Sequence, residues 1–155
     1  MFSLLTKTSR PYYTLLAMHK YALTPQASEA ISYVISNAIE SGGSDSWFLF
    51  RKYKHRDLPD GIFYAEAEAK MTDECDAPWH DGKWVHLTPQ SVADRINEIL
   101  ADDSHKVHTQ VFWNDTKGYL AHEMRNLMMG EYGDGDATRD DGILQVLFCG
   151  EVICS

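Results

Sequence analysis

The 155-residue sequence predicts an α+β fold: an antiparallel or mixed sheet of about five strands, with three helices packed mainly on one face. Three observations predict it. Two segments open on Thr-Pro and continue with apolar residues at helical spacing. An aromatic-rich run and a stretch of alternating polarity flank a Pro-Asp-Gly turn, the pattern of an antiparallel hairpin. No strand-like run leads into a glycine-rich phosphate loop, which argues against a doubly wound nucleotide fold.

The elements follow in order. Residues 1–18 read as a loose leader or first-strand segment, because Arg10 and Pro11 break the apolar run that a secretory signal needs. Residues 19–155 read as one α+β domain, with Met18 as an alternative start. Thr24 caps a helix that has Pro25 in its first position, with Ala27, Ala30, Ile31, Val34, Ala38 and Ile39 on one stripe and a stop at Gly42-Gly43. Trp47 to Lys54 and Gly61 to Met71 form the hairpin, which brings Arg51 opposite Glu68. A polar loop over 72–83 leads to a short strand from Trp84 to Leu87. Thr88 and Pro89 open the second helix, with Val92, Ile96, Ile99 and Leu100 inward and an end at Asp102-Asp103. Val107 to Trp113 reads as a strand. Asn114 or Asp115 caps a third helix, with Leu120, Met124, Leu127 and Met128 inward and Gly130 ending it. Residues 131–142 read as a polar loop, and the apolar run from Ile143 to Cys154 as a last strand with a bulge at Gly150.

Charge narrows the function. The formal net charge is −9, and it is unevenly placed. Before Glu29 there are three bases and no acid; from Glu29 onward eleven bases face twenty-three acids, a net of −12. Such a body repels phosphate backbones, which argues against direct nucleic-acid binding, and it steers basic partners inward. The basic run from Arg51 to Arg56 has its charges divided between two strand faces and Glu66 and Glu68 nearby. No stretch has the ~20 apolar residues of a membrane-spanning helix. Three cysteines without a CxxC pair give neither a disulfide framework nor a structural zinc signature, and fit a reducing bacterial or host-cell cytoplasm.

Two residue sets carry candidate chemistry. The loop carboxylates Asp134, Asp136, Asp140 and Asp141 resemble no EF-hand, since the sixth and twelfth positions counted from Asp134 hold Arg139 and Gln145. They read instead as an outward-facing recognition surface for a basic protein, with Trp79 and Trp84 as aromatic anchors beside a turn. The second set, Cys75, His80, Asp81 and His86, has metal-ligand residue types without a standard ligand spacing. His86 and Thr88 form one His-x-Thr pair where paired motifs would be needed, and acids flank Cys75, which works against a reactive thiolate. The expectation is therefore a small acidic, non-enzymatic binding or inhibitor-type accessory protein, in the style of phages and mobile elements, requiring no cofactor. The alternative is a small metal-assisted hydrolase or nucleotide-acting enzyme built on the His/Asp/Cys cluster.

Overall fold

The computed structural model describes residues 20–41, 48–71, 82–112 and 116–152. The 1–18 leader, the glycine stop at 42–43, Trp47, Trp113, the caps Asn114 and Asp115, and Cys154 lie outside the described residues. The architecture is α+β. Among the described residues, four α-helices accompany a three-stranded antiparallel sheet of order β1-β2-β3.

Helix α1 spans Pro25–Glu40. The Thr24 side chain accepts a hydrogen bond from the Ala27 amide, and Pro25 occupies a position whose N–H would have no helical partner. Strands β1 (Phe48–Asp57) and β2 (Phe63–Met71) pair antiparallel, and Leu58-Pro59-Asp60-Gly61 closes the turn through a 2.8 Å bond from the Gly61 amide to the Leu58 carbonyl. Strand β3 (Val85–Leu87) joins the other edge of β2. On β2, Ala65, Ala67, Ala69 and Met71 are buried, alternating with Tyr64, Glu66, Glu68 and Lys70. The alanine face lets α1 lie close on the sheet. Helix α2 (Pro89–Ala101) packs on the same strand, and its N-terminus is a full capping box between Thr88 and Ser91. Asn97 holds the segment ahead of α1: its amide group accepts from the Tyr21 amide (2.8 Å) and donates to the Tyr21 carbonyl (3.0 Å).

The β1–β2 register has an irregularity. Arg51 opposes Glu68 and Lys54 opposes Glu66, so two residues of β1 face one of β2. Lys52 takes φ 54° at this bulge. The extra residue turns Tyr53 toward α1, where its hydroxyl bonds Ser36 (2.9 Å) and Glu40 (2.7 Å).

The second half departs from expectation. The segment predicted as a strand from Val107 to Trp113 opens, as far as it is described, inside a 3-10 turn, Lys106–His108, and continues to an isolated bridge between Val111 and Lys117. The cause is local: the His105 ring nitrogen Nδ1 accepts the Val107 amide at 3.0 Å and closes a turn instead of a ladder. Helix α3 runs Tyr119–Met128, following Gly118 in a left-handed conformation, and buries the predicted Leu120, Met124, Leu127 and Met128.

The predicted last strand is a helix, α4, spanning Ala137–Cys149. Arg139, Asp140 and every residue from Gly142 to Phe148 are buried, and α4 packs against α1, α2 and α3. A segment apolar on all sides has no face to alternate, so a buried helix and a buried strand read alike in sequence. Gly142 sits inside the helix because a Cβ there would stand 2.9 Å from the Phe112 ring. Gly150, expected as a bulge, is the left-handed C-cap at φ 80°. Among the described residues the sheet therefore has three strands, against about five expected, and the helices number four, against three. Among the described residues, no helix is long and apolar enough to cross a membrane.

Candidate partner-binding surface

The loop from Glu131 to Asp136 joins α3 to α4, and the four predicted carboxylates divide sharply across it and the first turns of α4. Asp134 and Asp136 are exposed, and Asp136 caps α4 through a 2.9 Å bond from the Arg139 amide. Asp141 is half-buried, and its Oδ2 accepts from the Gln145 side chain at 2.8 Å. Asp140 is completely buried, which corrects its placement on an outward surface.

A buried carboxylate must find donors, and Asp140 finds four bonds. Its Oδ1 accepts from Arg139 Nε (3.1 Å) and Nη2 (3.0 Å), and its Oδ2 from the Tyr132 hydroxyl (2.6 Å) and Asn37 Nδ2 (3.0 Å). Both oxygens acting only as acceptors is the pattern of an ionised carboxylate. Burial pushes its pKa above the ordinary value, opposed by the bonds from Tyr132 and Asn37 and by the Arg139 charge.

Arg139 spends its remaining donors on the Tyr132 carbonyl (2.7 Å) and Glu123 Oε1 (3.3 Å), and its guanidinium lies 4.5 Å from the centre of the Tyr132 ring. Glu123 also accepts from Tyr119, whose phenol is pushed up to about 12 by burial and by that bond. Gly135 leaves room for this arginine, since a Cβ there would overlap the guanidinium. The network ties α1, α3, the loop and α4 together. Arg139, Tyr132, Asn37 and Glu123 were not singled out in the sequence. The readable signal was Asp136, with Arg139 three residues on, as a helix start.

The remaining candidates sit elsewhere. Trp84 is half-buried ahead of β3, with the Arg51 guanidinium 4.1 Å above its ring. His86 is exposed on β3, opposite Glu68. Trp79, Cys75, His80 and Asp81 lie outside the described residues. Among the described residues, no group of three or more His, Cys, Asp or Glu is placed to hold a metal ion. Cys149 lies at the C-terminal end of α4, with its sulfur 3.0 Å from that of Met71.

Two cavities flank α4. One of about 110 Å³ beside the loop is lined by Phe112, Tyr119, Asp134, Asp136 and Arg139. The other, about 280 Å³, lies between the 3-10 turn and the end of α4, lined by His105, Lys106, Cys149 and Glu151 among others. Both fall below the roughly 300 Å³ at which small-molecule sites begin.

Charge is segregated as well. The sheet and its turns, residues 48–71 and 82–87, hold six bases and four acids, whereas residues 88–112 and 116–152 hold five bases and eleven acids. Comparison with protein-family models, with curated proteins and with solved structures finds no match.

Proposed function

We propose that the protein is a non-enzymatic binding protein of accessory or inhibitor type, engaging a basic partner protein through carboxylates displayed at the start of α4. One observation carries this reading. The loop that presents Glu131, Asp134 and Asp136 to solvent is bolted from beneath by Asp140, Arg139, Tyr132 and Asn37. A charged loop held in one conformation binds without the entropic cost of ordering it, so the buried member of the predicted set supports the exposed ones. The acidic excess of the helical body adds long-range attraction for a basic surface.

The test is a pull-down from a cognate lysate at low and high salt, using the wild type and the double variant Asp134→Asn, Asp136→Ser. Serine keeps the helix cap while removing the charge. The expected outcome is a basic protein captured at low salt, released at high salt and lost with the variant. Capture that the variant leaves unchanged overturns the reading.

A further inference from the structure

The opposite face of the charge distribution carries an inference that does not depend on the acidic loop. Strand β1 is ten residues long and lies at the edge of the sheet. Along it Leu49, Arg51, Lys52 and Lys54 to Asp57 are all exposed, Leu49 at 49%. Among the described residues, no strand pairs with the outer flank of β1.

An open edge of this length is a row of unpaired backbone donors and acceptors, which templates a further strand. The side chains say which kind. On its inner flank β1 already lies against an acidic strand, with Glu68 taking both Arg51 (2.7 Å) and Lys52 (2.9 Å), and Glu66 opposite Lys54 in the register. Lys54 and Arg56 have no carboxylate within ion-pair distance among the described residues.

We propose that the free edge of β1 is a docking strand for an extended acidic segment of a partner chain, added antiparallel so that its carboxylates meet Lys54 and Arg56. Two rival occupants fit less well. A second copy pairing edge to edge would set the run from Arg51 to Arg56 against itself, and directly opposed like charges repel. A nucleic acid would bring a charge with every nucleotide against a chain of net −9, whereas a short acidic peptide brings few charges and engages only at contact range.

The experiment titrates an acetylated, amidated peptide of about ten residues, alternating Glu with Thr and Val, into the isotopically labelled full chain and follows backbone amide signals. Amide shifts centred on residues 49–57 are expected. Binding should weaken at least about tenfold when Gln replaces Glu in the peptide, or when the chain carries Lys54→Glu with Arg56→Glu. The milder pair Lys54→Gln with Arg56→Gln should weaken it less while leaving the thermal midpoint unchanged, which guards against a folding defect. No shift at millimolar peptide overturns the proposal. So does equal binding of the Gln peptide. An oligothymidylate that perturbs the same amides more tightly than the peptide overturns it in favour of a polyanion face. Concentration-dependent shifts of those amides without any peptide overturn it in favour of self-association.

Discussion

Two arginine–carboxylate pairs, one on the sheet and one beneath the loop, are ranked the wrong way round by distance. On the sheet, Arg51 meets Glu68 at 2.7 Å, with the side chains 45% and 20% exposed; under the loop, Arg139 meets Asp140 at 3.0 Å, with 4% and 0% exposed. The shorter contact competes with water and salt at every moment and contributes little. The longer one is dry, and each partner would be stranded without the other. Burial and the number of groups that depend on a contact decide its weight.

The sharpest way to break this comparison is Asp140→Ala. It strands the Arg139 charge, the Tyr132 hydroxyl and Asn37 together, and should cost about 3–5 kcal/mol in urea unfolding. A loss under about 1 kcal/mol would show that water reaches the site and that the two pairs are alike. Tyr132→Phe sharpens the same point, because it removes one 2.6 Å bond to the carboxylate and keeps the ring under Arg139. The expected cost is about 1.5–3 kcal/mol by the same measurement.

Gly142→Ala separates packing from charge within α4. Alanine is the better helix former by about 1 kcal/mol, yet its Cβ would press on the Phe112 ring, at a strain of about 1–3 kcal/mol. A net fall in the thermal midpoint is expected, and a rise would mean that the ring yields freely.

The smallest effect belongs to Glu68→Gln, whose midpoint should lie close to wild type at moderate salt. Hydrogen bonds from Lys52 and Arg51 hold the Glu68 carboxyl below its ordinary 4.5. A carboxyl depressed in the folded state stabilises above its unfolded pKa and loses that contribution as pH falls through the folded one. The small difference between wild type and variant should therefore be flat near neutral pH and shrink only on the acid side of 4.5. A difference that instead grew with acid would reverse the sign of the linkage.

The same contrast explains what could be read in advance. The hairpin was legible because its signals are local: a Pro-Asp-Gly turn, alternation along β2, and opposite charges that meet once the turn closes. Helices α1 and α2 were legible from Thr-Pro caps that act within three residues. Helix α4 was not. Its apolar run is buried on every side, and Gly142 reads as a loop residue until Phe112 is seen against it. The burial of Asp140 was illegible for a different reason. One of its partners, Asn37, is 103 residues away, and no local pattern marks a carboxylate that distant donors will enclose.

The bulge at Lys52 and Tyr53 has a consequence for how β1 can vary in evolution. That one surplus position acts as a phase shifter: upstream of it the odd-numbered side chains look away from the helices, downstream the even-numbered ones do. A strand lacking Lys52 would pair Tyr53 with Ala67 in an unbroken ladder and keep Tyr53 toward the helices and Arg56 away from them, so the surplus residue leaves the two faces as they are. What it changes is the local twist of that edge, so a one-residue deletion at the bulge is milder than the loss of buried Phe48 at the strand's start.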